Sequence, residues 1–137
     1  MMTLSTRGRY ATRIMALLAM ENERDRLNKY QIAATESISP GYAQQLLMVL
    51  RTAGLVNSHR GRGGGFSLAK PPESISVGDI LRAVEGAVMP APCRGEYHCH
   101  RAAECPTRPV WDEAAAMLER LFAGTSLADL VEGKPSR

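Results

Sequence analysis

Residues 28–70 most restrict what this chain can fold into. They hold two short helical patterns meeting at a two-residue turn, then two apolar stretches separated by Gly61-Arg62-Gly63-Gly64-Gly65. Asn28 can cap the first helix, and Gln31, three residues on, completes a capping-box pattern. Ile32 and Ala33 are its inward residues, and Ser37-Ile38 makes the turn. Ser39-Pro40 starts the second helix, with an N-cap residue followed by proline at the first helical position. Tyr42, Leu46, Val49, Leu50 and Ala53 are the expected buried stripe, and Gly54 the stop. Gly41, Ala43, Gln44, Gln45, Met48 and Arg51 are left for the exposed side. Leu55–Arg60 and Phe66–Lys70 read as strands, and the glycines between them take positive φ without penalty, so the pair can close as a sharp hairpin. Two capped helices followed at once by such a ribbon have the layout of a winged helix.

The side chains on this frame suit a polyanion. Glutamine can pair bidentately with adenine, and small residues let a helix approach the major groove closely. Arg60 and Arg62 are expected to project from the ribbon toward a phosphate backbone or a minor groove, with His59 as a phosphate neighbour. The charge is divided accordingly. Residues 1–70 carry ten Lys/Arg against four Asp/Glu, and residues 71–137 carry seven against ten. A basic half of this kind indicates nucleic acid, and the acidic half argues against a membrane-surface role. The glycine run does not fit the spacing of a phosphate-binding nucleotide loop, and no helix starts at it.

The flanking segments are helical. The first helix is expected from about Ser5 to Glu21, with Tyr10, Ile14, Leu17 and Leu18 on its apolar face and Arg7, Arg9 and Arg13 opposite. Gly8 inside it suggests close approach of another backbone. Glu21–Leu27 reads as a charged connection. Ser76, with Asp79, caps a further helix holding Val77, Ile80, Leu81 and Val84, which Gly86 ends. A long helix from about Arg108 to Ala123 presents Val110, Trp111, Ala114, Met117, Leu118, Leu121 and Phe122. That is more apolar surface than a terminal helix needs for its own packing, and it reads as a dimerisation helix. Thr125 or Ser126 caps a last short helix with Leu127, Leu130 and Val131. The expected fold class is mainly α, a winged helix-turn-helix with a two-stranded β wing and a long C-terminal dimerisation helix. The expected organisation is a winged-helix domain over 1–86, a cysteine-containing segment over 87–106 and a dimerisation helix with tail over 107–137, in one compact unit. No secretory signal or membrane-length apolar run is seen, so a cytoplasmic location is expected.

All three cysteines fall in one stretch, Cys93, Cys99 and Cys105, with five residues in each gap. Clustered cysteines in a reducing compartment indicate metal ligands or redox thiols rather than a disulfide framework. Three thiolates suit a soft-metal site. Glu96, His98, His100 and Glu104 are the other donors nearby, of which His98, His100 and Glu96 are candidate fourth ligands. Zinc held by three cysteines and a histidine is an alternative. Bare redox thiols activated by Arg94 and Arg101 are another. No catalytic constellation appears, and an enzyme is not expected.

A series of short matches runs in order along the chain. They are Leu4-Ser5-Thr6-Arg7-Gly8-Arg9-Tyr10-Ala11, Ile32-Ala33, Tyr42-x-x-Gln45-Leu46, Leu50-Arg51-x-x-Gly54-Leu55-Val56, Arg60-Gly61-x-Gly63-Gly64-Gly65-Phe66-x-Leu68, Ile75-Ser76-Val77-Gly78-Asp79-Ile80 and Leu127-Ala128-Asp129-Leu130. On these residues the chain resembles the IscR-type bacterial regulators, whose relatives include the NsrR proteins. The resemblance implies a winged-helix homodimer on palindromic double-stranded DNA. It also implies an iron–sulfur cluster, 2Fe–2S or 4Fe–4S, held by Cys93, Cys99 and Cys105 and controlling operator affinity. Some members supply a histidine where Arg108 stands, and the NsrR-like members an aspartate where Ser5-Thr6-Arg7-Gly8-Arg9 has no carboxylate. The candidate DNA contacts are Arg9, Ser39, Gly41, Tyr42, Gln44, Gln45, Arg51, His59, Arg60, Arg62, Gly63 and Gly64. A cluster-free repressor acting as a thiol switch or metabolite sensor is the alternative.

Overall fold

The structure is a computed structural model, and it describes residues 3–21, 25–87, 89–91 and 99–133. Helix α1 (Thr6–Met20) begins at Ser5, whose hydroxyl accepts the Gly8 amide at 3.1 Å. Its buried stripe is Gly8, Ala11, Ile14, Met15 and Leu18, with Tyr10 and Leu17 half-buried. Helix α2 (Lys29–Glu36) carries the expected capping box, Asn28 and Gln31 bonding each other's backbone at 2.9 Å. Ser37 closes it in the left-handed conformation at φ 57°. Helix α3 (Pro40–Thr52) starts with Ser39 accepting the Tyr42 amide at 3.1 Å.

The buried stripe of α3 is Ala43, Leu46, Leu47 and Leu50. This rotates the helix from the sequence expectation. Ala43, expected outside, is fully buried, and Ala53, expected inside, is exposed. Tyr42 and Val49 are half-buried, as is Met48, which packs against the core. The stripe at i, i+3, i+4 and i+7 is set by Leu47, whose burial turns Ala43 inward with it.

Strands β1 (Val56–His59) and β2 (Gly65–Leu68) pair antiparallel, from Val56 opposite Leu68 to His59 opposite Gly65. Leu27 adds a third, one-residue rung on the other edge of β2. Its amide donates to the Phe66 carbonyl at 3.3 Å, and the Phe66 amide donates to its carbonyl at 2.8 Å. A 3₁₀ turn (Pro72–Ser74) leads to helix α4 (Val77–Glu85), which buries Val77, Ile80, Leu81 and Val84 and ends at Gly86. Helix α5 (Arg108–Ala123) and helix α6 (Leu127–Glu132) complete the described chain. The capping boxes of α4 and α6 lie back to back. The Val77 amide donates to the Thr125 carbonyl and the Leu127 amide to the Ile75 carbonyl, both at 2.8 Å.

Helix α1 is the hub and packs against α2, α3, α4, α6 and β2. At Gly8 the close neighbour is not another backbone, as the sequence suggested, but two side chains of α4. A Cβ at Gly8 would lie 2.7 Å from Glu85 Oε1 and 3.0 Å from Leu81 Cδ2. The Glu85 carboxylate fills that space and accepts the Ser5 amide at 3.1 Å. Farther along α1, Arg13 reaches Glu36 of α2, Nε to Oε2 2.6 Å, where Glu36 is only 7% exposed. The approach is too poorly directed for a hydrogen bond, so the contact is one of charge.

Helix α5 stands apart in its surface. Ala115 is its buried residue, while Val110 is 61% and Met117 58% exposed, and Trp111 and Leu121 are exposed too. The excess apolar surface expected of this helix is thus exposed among the described residues.

Gly65 is the residue on which the wing's attachment turns. It sits at φ 143°, and a Cβ there would lie 2.6 Å from the Leu27 carbonyl oxygen. Gly65→Ala is therefore expected to cost about 1–3 kcal/mol of unfolding free energy, measured in urea. Gly41→Ala, where a Cβ meets nothing within 4 Å, serves as the matched control and should cost none of it.

Candidate nucleic-acid interface and cysteine segment

Helix α3 offers exposed Ser39, Gly41, Gln45 and Arg51 along one length, with Gln44 half-exposed. Its N-terminal turn is held against α1 through aromatic rings. Tyr42 meets Tyr10 edge-on, centroids 6.2 Å apart, and the Arg13 guanidinium lies 5.6 Å from the Tyr10 centroid. The turn-to-helix geometry and the setting of α3 on α1 are thus fixed by different contacts, the Ser37–Ser39 backbone and the Tyr10–Tyr42 pair. Arg9 is exposed on α1 next to Tyr10 and makes a long 3.5 Å contact with the Thr6 hydroxyl.

The wing follows α3 directly. Arg60, Gly61, Arg62 and Gly63 are exposed at its tip, and the Gly64 amide closes the turn on the Gly61 carbonyl at 3.0 Å. Gly64 permits this tightness, because a Cβ there would lie 2.5 Å from the His59 carbonyl oxygen. His59 sits differently from the arginines. It is half-buried, and its Nε2 is 2.8 Å from Ser67 Oγ across the ribbon. It also lines a cavity of about 350 Å³ with Asp25, Arg26 and Lys70 at the wing's base.

In the cysteine segment, Cys93, Glu96 and His98 lie outside the described residues, as does Arg94. Cys99 and Cys105 are free thiols, both half-buried. His100 and Glu104 are exposed. A turn joins the two cysteines, with the Ala102 amide on the Cys99 carbonyl at 3.1 Å. Arg108 clasps this turn. Its Nη1 donates to the Ala102 carbonyl at 3.4 Å, and its Nε lies 3.9 Å from Asp112 Oδ2. Arg108, three residues beyond Cys105, is thus engaged with the backbone.

The Cys105 thiol is held below its ordinary pKa. The largest cause is the Thr107 hydroxyl, 3.2 Å from the sulfur, followed by the Thr107 and Arg108 amides at the start of α5 and by the charge of Arg101. A helix N-terminus favours thiolate in this way. Arg101 does what its sequence position suggested. Thr107 was missed, although a hydroxyl two residues beyond a cysteine and just ahead of a helix is a readable signal. A thiolate is the form that ligates a soft metal or an iron–sulfur cluster, and Cys99 and Cys105 are the thiols among the described residues. Among the described residues no three His, Cys, Asp or Glu side chains are gathered around one metal position.

A capped two-helix unit followed by a glycine-tipped ribbon, with arginines at the tip, defines a winged-helix DNA-binding transcriptional regulator. Residues 4–133 match the Rrf2 family model, described as iron-dependent transcriptional regulators. The chain belongs to the Rrf2 family, a family of regulators and not of enzymes. It is 40% identical over 131 residues to protein rrf2 of Nitratidesulfovibrio vulgaris, covering 95% of this chain and 87% of that one. The structure of CymR of B. subtilis, described as its global cysteine regulator, superposes with a TM-score of 0.81 at 34% identity, over 98% of this chain and 99% of that one. The structure of T. potens IscR gives 0.79 at 32%, over 96% and 88%. No helix among the described residues is long and apolar enough to cross a membrane.

Proposed function

We propose that this protein is a cytoplasmic, homodimeric regulator whose affinity for a palindromic operator is set by an iron–sulfur cluster on Cys93, Cys99 and Cys105. The observation that carries the reading is the placement of Cys105 at the threshold of α5. Its sulfur is held toward thiolate by Thr107, and the helix it precedes leaves Trp111, Met117 and Leu121 exposed for a second copy. A bound cluster would supply a centre reactive to oxygen, nitric oxide and iron supply. The chain's own residues do the rest. Cys99 and Cys105 present soft donors on a turn that Arg108 clasps. Gln44 and Gln45 read or position bases in the major groove, and Ser39, Gly41, Tyr42 and Arg51 dock the helix. Arg60, Arg62, Gly63 and Gly64 lie along the backbone and minor groove, with Arg9 and His59 at the margins. Control requires only that the two states of the cysteine segment differ in DNA affinity.

A thiol switch on the same cysteines is the second reading, and the lowered Cys105 pKa favours it directly. The likeness to a regulator described as governing cysteine is in keeping with it. The two readings separate on one preparation. Protein purified without oxygen is expected to be coloured and to contain iron and sulfide, and Cys99→Ala to be colourless yet folded. Colourless wild-type protein whose thiols oxidise reversibly establishes the switch instead.

Two substitutions test the rest. Arg62→Ala should weaken DNA binding and lower the slope of log affinity against log salt by about one. An unchanged slope removes the wing from the interface. Met117→Asp puts a charge on the open face of α5 and should convert the dimer to monomer in sedimentation; a dimer that persists places the interface elsewhere.

A further inference from the structure

We infer that Lys29 and Tyr30, at the start of α2, form a second phosphate-binding patch beside the wing, extending the DNA contact beyond the recognition helix. The inference rests on the DNA-binding reading above and deepens it.

Its basis is the direction of the chain at the Leu27–Phe66 bridge. Strand β2 runs from Gly65 away from the wing tip. The segment containing Leu27 pairs with it antiparallel, so it runs toward the tip. The next residues emerge at the tip's base, where a Cβ on Gly65 would lie 3.0 Å from the Asn28 amide nitrogen. Lys29 and Tyr30 therefore leave the ribbon at the end that carries Arg60 and Arg62.

Their surface is unspent. Tyr30 is 63% exposed, an unusual position for a ring in a chain with four tyrosines, two phenylalanines and one tryptophan. The Lys29 ammonium lies 5.3 Å from the Tyr30 ring centroid. An aromatic face beneath an ammonium holds the long side chain to the surface without neutralising it. Among the described residues no carboxylate lies within ion-pairing distance of Lys29, Arg60 or Arg62. Arg13, by contrast, is committed to Glu36. Lys29, Arg60 and Arg62, none of them in an ion pair among the described residues, thus lie toward one end of the ribbon, whereas Arg13 on α1 is paired. A duplex whose minor groove receives the wing has a phosphate strand alongside, and Lys29 with the Tyr30 hydroxyl supplies a charge and a donor for it. Such a contact adds affinity without reading sequence.

The test uses full-length protein. A duplex is selected by the wild-type protein from a random pool of DNA, and affinity is followed by fluorescence anisotropy over a range of salt on that duplex and on a scrambled one. Lys29→Ala should weaken binding by about 3- to 10-fold on both duplexes and lower the salt slope by about one. Lys29→Arg should restore both. Tyr30→Ala should weaken binding by a smaller factor, and thermal melting should show all three variants folded. Wild-type affinity and slope in Lys29→Ala overturn the inference, and so does a loss confined to the selected duplex, which would mean base reading. The Arg62→Ala protein separates the two levels of the argument. If it loses affinity and slope while Lys29→Ala does not, the patch is wrong and the winged-helix reading stands. If the wild-type protein selects no DNA, the DNA-binding reading itself fails.

Discussion

Two backbone hydrogen bonds between Leu27 and Phe66 hold the nucleic-acid surface together. A two-stranded ribbon in water is marginal by itself, and four residues per strand give β1 and β2 little to add. The bridge makes β2 a central strand, and the buried Phe66 ring drives it onto the core shared with α1. The same bridge fixes where α2 begins, because Asn28 follows Leu27 and caps it. The direction of the wing and the position of the helix-turn-helix are therefore set by one contact. Only glycine fits at position 65, where the two strands and the incoming segment converge.

Helix α1 carries that geometry to the rest of the molecule. Its first turn holds the Glu85 carboxylate at Ser5 and Gly8. Its middle holds Glu36 through Arg13 and Tyr42 through Tyr10. A carboxylate as buried as Glu36 is tolerated because a guanidinium stands against it; without that partner the group would be desolvated and uncompensated. Glu85 is the last residue of α4, and the chain runs from there toward the cysteines. One rigid helix thus touches both the start of α3 and the end of α4.

Much of this was readable because helix ends are written in local residues. Asn28 with Gln31, Ser39 with Pro40 and Ser76 with Asp79 each sit at the end the sequence indicated, and α5 runs from Arg108 to Ala123 as its apolar spacing required. The rotation of α3 was misread because alanine marks neither face. Ala43 and Ala53 exchange places once Leu47 is buried. The Leu27 rung left no trace, since a single-residue bridge has no periodicity and Leu27 ends a run of charged residues. At Gly8 the glycine signalled close approach correctly, but it could not say that the approaching group was a carboxylate. Of the candidate site residues, Arg60 and Arg62 stand exposed where a hairpin tip had to put them. His59 is one residue away and turned inward to Ser67, a distinction that pairing register makes and composition does not.

The cysteine segment was legible as chemistry and not as geometry. Spacing identified three soft donors, but which atoms tune them depends on how the chain enters α5. Thr107 and the first amides of that helix draw Cys105 toward thiolate, and Arg108 holds the turn behind it. A thiolate is what a cluster ligand and a redox-active cysteine have in common, so the same local structure prepares both. The difference between them lies in whether other donors converge on the sulfur, which is a property of tertiary folding and, in the proposed dimer, of the partner copy. Helix α5 makes that dependence physical. Val110, Trp111, Met117 and Leu121 on its apolar face are exposed among the described residues, and its first turn begins three residues after Cys105. A partner that settled on this face would lie against the helix whose first turn follows the Cys99–Cys105 turn, so the proposed assembly and the proposed sensing would meet at the start of one helix.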